Sequence, residues 1–175
     1  MQYPGGQARP SGDVRAELMS LIPRLRRFAL AMTGSRADGD DLVQDTLERA
    51  LLRLDQWRPD TKLDAWVFRI AKNLWIDQIR SRRARERVVV NDPDADAPGI
   101  DGCGAMEAAL TLSKALQALA SLPEEQRIVI TLVQIEGFTY REAAEILGIP
   151  EGTVTSRLVR ARAAIEAQVL GEDRT

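Results

Sequence analysis

Histidine is absent from the 175 residues, and cysteine occurs once, at Cys103. A single thiol cannot close a disulfide within the chain, and no Cys/His set is available for a zinc site. Without imidazole the commonest general base near neutral pH is missing, which removes most hydrolase schemes. No catalytic residue, metal ligand or cofactor is therefore expected. No apolar run approaches the roughly 20 residues of a membrane-spanning helix, so no membrane insertion is expected. Residues 1–12 are rich in Gly, Pro and polar side chains and lack the apolar core of a signal peptide, so they read as a disordered tail. No segment has the alternation of a strand with a partner, and no internal repeat is visible. The expectation is a cytoplasmic, all-α protein, long enough for one medium domain or two small ones.

Charge is present in quantity but unevenly placed. The net charge is −2. Residues 13–87 carry 16 bases against 12 acids, whereas residues 88–107 carry five acids (Asp92, Asp94, Asp96, Asp101, Glu107) and no base. Screening limits exposed charges to a range of about 10 Å at ordinary salt, so the local excess matters more than the sum. The steepest excess is residues 80–87, with Arg80, Arg82, Arg83, Arg85 and Arg87 against Glu86 alone.

The most informative stretch is residues 138–165. Thr139 and Glu142 have the spacing of a capping box, Ala143, Ala144 and Leu147 form an apolar stripe, and Gly148 suits a helix end. Pro150 fits the first turn of a second helix, in which Val154, Leu158, Ala161 and Ile165 share one face. Thr153, Thr155, Ser156, Arg157 and Arg160 lie off that face. Small polar side chains with arginines opposite a buried stripe suit a helix that enters the DNA major groove, where arginine offers two parallel donors to guanine. An ordinary helical hairpin with a solvated basic face has the same local pattern.

The N-terminal part is helical by pattern throughout. Residues 14–32 carry Leu18, Leu21, Ile22, Leu25, Phe28 and Ala29 on one side, with Pro23 expected to bend or split the helix. Residues 33–39 read as a turn. Residues 40–54 form the next helix, with Leu42, Val43, Thr46, Leu47, Ala50, Leu51 and Leu54 as its buried stripe. Its other side shows Asp41, Gln44, Asp45 and Glu48, either a solvated face or a partner surface. Pro59 breaks the pattern in a loop carrying Trp57, Arg58 and Asp64. In the next helix, residues 65–85, Phe68, Trp75, Ile79 and Lys72 lie opposite a core face of Trp66, Val67, Ile70, Ala71 and Leu74. A helix apolar on two sides is buried between neighbours; aromatics interleaved with Arg69, Lys72 and Arg80 also suit stacking on unpaired bases.

Residues 88–105 read as a flexible acidic linker between two small helical domains, residues 13–87 and 106–172. The second domain opens with an apolar helix over residues 106–120 and a further helix from Pro123, Glu124 and Glu125, with proline and carboxylates at its start.

Four segments in this order, Asp40-Asp-Leu-Val-Gln-Asp-Thr46, the helix from Ala65 to Asp77 with its arginine run, Leu122-Pro-Glu-Glu-Gln-Arg127 and Gly152 to Arg162, resemble the extracytoplasmic-function (ECF) RNA polymerase sigma factors of the sigma-70 family. The resemblance covers roughly residues 13–170. It implies a sigma-2-like bundle ahead of a sigma-4-like helix-turn-helix domain, in a transcription initiation factor without enzymatic activity. On that resemblance Asp41, Gln44, Asp45 and Glu48 dock on the clamp helices of core RNA polymerase, whose flap meets the second domain. Trp57, Arg58, Asp64, Arg69, Lys72, Asn73, Arg80, Arg82 and Arg83 serve reading and melting of the −10 element. Thr153, Thr155, Ser156, Arg157 and Arg160 read the −35 element in promoter DNA. An anti-sigma factor is implied as a regulatory partner. The family often places serine where this chain has Pro150, which offers no side-chain oxygen to the free amides. The rival reading is a helix-turn-helix repressor or activator acting without core polymerase, for which the first domain shows no ligand-binding signature.

Overall fold

The computed structural model describes residues 11–86 and 103–172. All regular elements among them are helical: α1 (Ser11–Ser20), α2 (Ile22–Thr33), α3 (Arg36–Leu52), a short 3-10 turn (Leu54–Gln56), α4 (Leu63–Glu86), α5 (Cys103–Ser121), α6 (Glu124–Ile130), a π-helical turn (Thr131–Ile135), α7 (Tyr140–Leu147) and α8 (Glu151–Glu172). The all-α expectation holds. The expected tail and acidic linker lie outside the described residues, except where α1 and α5 begin within them.

Pro23 splits the first apolar stretch, as its missing amide requires. It sits in the first turn of α2, where no intrahelical donor is needed. Residues 33–39 depart from expectation. Gly34 ends α2 with φ 70°, but α3 begins at Arg36, with the Ser35 hydroxyl accepting from the Asp38 amide. Gly39 is therefore inside a helix and buried. A Cβ there would stand 3.4 Å from the Leu30 amide nitrogen and 3.5 Å from the Ala29 carbonyl carbon, ordinary contact distances, so α3 lies against α2 here without requiring glycine.

Leu25, Phe28, Ala29 and Met32 of α2 pack with Leu42, Val43 and Ala50 of α3 and with Val67, Phe68 and Ala71 of α4. Thr46 is buried among them and donates its hydroxyl to the Leu42 carbonyl at 2.6 Å. Leu51, expected in the buried stripe, is exposed instead. In the second half Ile128, Val129 and Leu132 pack against Val154, Leu158 and Ala161 of α8, with α7 closing the side.

The two halves meet along a seam formed by α2 and α4 on one side and by the π-helical turn and α7 on the other. Phe68 is fully buried, edge-on to Phe28 (centroids 5.4 Å apart) and to Phe138 (5.0 Å). Of the two readings left open for the two-sided α4, burial between neighbours is the one observed. Arg24 occupies the centre of the seam. Its Nε donates to Glu136 Oε2 at 3.2 Å, one terminal nitrogen to Asp64 Oδ2 at 2.9 Å, and the other to the Glu136 carbonyl at 2.9 Å. The guanidinium carbon lies 5.2 Å from the Phe68 ring centre and 4.9 Å from that of Phe138. Arg27 also reaches Glu136 Oε2, at 3.3 Å. The Glu136 side chain is 0% exposed. Burial pushes its carboxyl above the ordinary value, and the two arginines pull it back. At the other end of the seam Arg127 of α6 donates to the Met32 carbonyl near the end of α2.

Removing Arg24 leaves the buried Glu136 carboxylate with Arg27 as its remaining cation. Arg24→Ala should therefore destabilise the fold by about 3 kcal/mol, the low end for a broken buried pair, read by thermal unfolding in circular dichroism. Glu136→Gln in the Arg24→Ala background should restore part of the loss. An additive double mutant would show that the two groups do not act as a pair.

Candidate nucleic-acid and partner interfaces

The inner face of α3 is used up in packing, and its outer face is open. Asp41, Gln44, Asp45 and Glu48 are all exposed, and none makes an ion pair or side-chain hydrogen bond among the described residues. Their spacing over two turns forms one acidic stripe. Asp38, at the start of the same helix, is instead drawn to Arg82 of α4 at 3.3 Å.

The candidates around α4 fall into three groups. Trp57, expected to face nucleic acid, is buried. The loop folds back so that its ring fills the bundle, and it is not available for stacking in this conformation. Trp75 is buried as well. Asp64 is committed to Arg24 and also accepts the Ala65 amide. A second group lies along the seam. Arg69 donates to the Glu145 carbonyl at 2.9 Å, and Arg83 pairs with Glu124 of α6. Lys72 is half-buried and has no acidic partner among the described residues; burial, then the neighbouring Arg69, lower its pKa. It lines a groove of about 310 Å³ between α4 and the second half, together with Ile76, Arg80, Ile128 and Arg157. The third group is open: Asn73 and Arg80 are exposed on α4, and Arg58 is exposed in a local pair with Asp60 at 2.9 Å. Arg85 and Arg87 fall outside the described side chains.

In the helix-turn-helix the expected local chemistry is present. The Thr139 hydroxyl accepts from the Glu142 amide, and Glu142 Oε2 accepts from the Thr139 amide at 2.8 Å. Lys62, in the loop before α4, pairs with the same carboxylate. That ammonium and the Thr139 donors hold Glu142 well below the usual carboxylate value, at about 2. Gly148 ends α7 with φ 70°, its amide bonded to the Ala144 carbonyl. α8 begins at Glu151, and the Pro150 carbonyl accepts from Thr153 and Val154, so proline stands just outside the helix and nothing is lost for want of its amide.

The exposed face of α8 is not quite the one the sequence marks out. Val154, Leu158 and Ala161 are buried, and Thr155, Ser156 and Arg160 face outward as expected. Arg160 lies back over its own helix, with Nε 3.3 Å from the Ser156 carbonyl. Thr153 is only half-exposed. The Arg157 side chain is 21% exposed and pairs with Glu125 of α6, which turns it toward the seam. Val159, by contrast, is 59% exposed. It is legible in the sequence only as an apolar residue off the buried stripe. Glu125, Glu136 and Arg24 give no local signal of their part in the structure.

Residues 112–165 match the family described as Sigma-70, region 4, and residues 18–72 match the Sigma2 domain of PhyR. The chain is 39% identical over 156 residues to the ECF RNA polymerase sigma factor EcfG of Rhodopseudomonas palustris (strain TIE-1), covering 89% of this chain and 84% of that one. Among solved structures it is similar to the sigma factor RpoE of Bartonella quintana in complex with the anti-sigma factor NepR, at a TM-score of 0.76 and 33% identity over 91% of this chain and 97% of that one. CnrH in complex with the cytosolic domain of CnrY is also similar, at a TM-score of 0.71 and 28% identity over 93% of this chain and 90% of that one. With a relative this similar along most of both chains, and the two halves of the fold matched separately, the chain belongs to the extracytoplasmic-function RNA polymerase sigma factors, whose role is to direct the polymerase to promoters.

Proposed function

We propose that this chain binds core RNA polymerase through the outer face of α3, reads and melts the −10 element with α4 and the loop before it, and reads the −35 element with α8. The single observation that carries the first step is the stripe Asp41, Gln44, Asp45 and Glu48, which is exposed and unengaged on a helix whose packing is already complete. The clamp helices of the polymerase are the proposed partner of this stripe, and the flap that of the second half. Asn73 and Arg80 are the open residues for the unpaired strand, and Arg160 and Ser156 those for the major groove. Trp57 and Asp64 then act indirectly, by fixing the loop and the start of α4.

Arg69, Lys72 and Arg83 face the seam. For these cations to grip the −10 strand, the two halves must part when the factor joins polymerase. A partner that holds the halves together would keep the factor inactive. The Bartonella quintana relative in complex with NepR supports an anti-sigma factor as that partner.

Reversing an exposed charge changes folding stability by no more than roughly 0.5 kcal/mol, whereas like-charge repulsion at an interface costs several. Asp45→Arg should thus keep its helical signal and unfolding temperature yet fail to join core polymerase in a titration. Loss of fold would make the face structural, and normal binding would move the contact elsewhere.

Three further outcomes concern DNA. Asn73→Ala should impair strand opening in permanganate footprints while −35 binding persists, because extrusion of a base costs a few kcal/mol that polar contacts from α4 must offset. Arg160→Ala should cost about 1–3 kcal/mol and relax one −35 position. Arg157→Ala should have the smaller effect, its side chain being held by Glu125. The reverse order in holoenzyme binding assays would show that Arg157 swings outward on DNA.

A further inference from the structure

The chain holds three lysines, Lys62, Lys72 and Lys114, and their amines have three different surroundings. Lys62 donates to the Glu142 carboxylate, which raises its pKa and keeps it an ammonium. Lys114 is exposed on α5. Lys72 is half-buried and has no acidic partner among the described residues. Burial lowers its pKa, and Arg69, one turn before it on α4, lowers it further. The neutral amine is the nucleophilic form of lysine, so Lys72 presents its lone pair at a lower pH than an ordinary lysine does.

Geometry supplies the rest. Lys72 lines the groove of about 310 Å³ between α4 and the second half, so solvent reaches it although it is half-buried. Ile76, Ile128 and Ile149 give that groove an apolar lining. Arg83 and Arg157, which also line it, are paired with Glu124 and Glu125. Arg69 instead bonds a carbonyl, and Arg80 is exposed, so neither has a carboxylate counter-charge among the described residues. An acyl phosphate carries an apolar acyl group, an activated carbonyl and a dianion, and the groove offers an apolar wall, an amine and open guanidinium groups to match. We propose that Lys72 is an acylation site whose donor is a small acyl phosphate held by Arg69. The amine attacks the carbonyl carbon and a C–N bond forms. The C–O bond to phosphate breaks, and orthophosphate leaves with the electron pair. The surplus proton on nitrogen passes to that phosphate or to water, so no further reagent is needed. The product is an uncharged amide, and a cation is lost from α4. The consequence rests on the reading of Lys72 as a cation for the −10 strand: the acylated factor opens promoters poorly, which ties initiation to the supply of acyl phosphate.

The test incubates the full chain with acetyl phosphate and reads acetyl occupancy at each lysine by peptide mass spectrometry. Lys72 should be acetylated several times faster than Lys62 or Lys114, at a rate that levels off at a lower pH than an ordinary lysine amine requires. Arg69→Gln keeps a donor for the Glu145 carbonyl but loses the charge. It should slow transfer from acetyl phosphate more than transfer from the uncharged thioester S-acetyl-N-acetylcysteamine, which has no phosphate to hold. Acetylation of Lys62 or Lys114 ahead of Lys72 overturns the site, and equal slowing with both donors overturns Arg69 as the phosphate seat. In holoenzyme, the acetylated chain and Lys72→Gln should lose promoter opening in permanganate footprints. Lys72→Arg should keep opening and be indifferent to acetyl phosphate. If Lys72 is acetylated first and opening is unchanged, the acylation site stands and the −10 role of Lys72 falls.

Discussion

One guanidinium holds the two halves of this protein in register. Arg24 must satisfy a carboxylate that has no access to water, and it does so while lying against two aromatic rings from opposite sides of the seam. Such an arrangement leaves little latitude. The desolvation of Glu136 is offset only if the charge partner arrives with good geometry. That requires α2, the start of α4 through Asp64, and the π-helical turn to be in place together. The aromatic edge-to-face pairs contribute about 0.5–1.5 kcal/mol each beyond their buried area. They also fix the distance at which the arginine can act. The seam is thus a polar clasp set in an apolar surround, more demanding of position than a purely apolar contact of the same size.

Much of the fold is legible in the sequence because its determinants are local. The stripes of α2, α4 and α8, the split at Pro23, the Thr139–Glu142 capping box and the left-handed Gly148 all arise from residues within one or two turns of each other. Gly39 is not legible in this way, because glycine suits a turn and is tolerated inside a helix, and only the start of α3 at Arg36, capped by Ser35, distinguishes the two. Leu51 departs from its stripe because at about 100° per residue it lies 100° or more from the buried Leu42, Thr46 and Ala50. The candidate interface is legible on α3, where packing and the proposed contact use different sides. It is less so on α4 and α8. Arg24 and Glu136 are 112 residues apart, and Arg157 and Glu125 are 32 apart, so no local pattern could say that these charges are already committed.

The same commitments make sense of a net charge of −2 in a protein of this family. Several acids of the described residues are engaged internally: Asp64 and Glu136 by Arg24, Glu124 by Arg83, Glu125 by Arg157 and Glu142 by Lys62. The remaining open charges are sorted by face. The outer side of α3 is acidic, while the open positions of α4 and α8 include Arg80 and Arg160. At the short range that screening allows, a protein partner and a polyanion would each meet the sign that suits it, whatever the sum over the chain.

The π-helical turn gives this arrangement an unusual sensitivity to length. The Glu136 amide bonds five residues back, to Thr131, and the Phe138 amide six back, to Leu132, before Gly137 (φ 75°) releases the chain into α7. Such a turn holds one residue more than an α-helical turn. Deleting any one residue between 131 and 136 would remove the extra residue of that turn and change where Glu136 and Phe138 stand relative to α6. Glu136 would leave the guanidinium, and Phe138 would leave the Phe68 ring. The two helical units could each survive the deletion and still no longer fit one another, so the spacing of this short segment is fixed to the single residue although most of its side chains touch no proposed ligand.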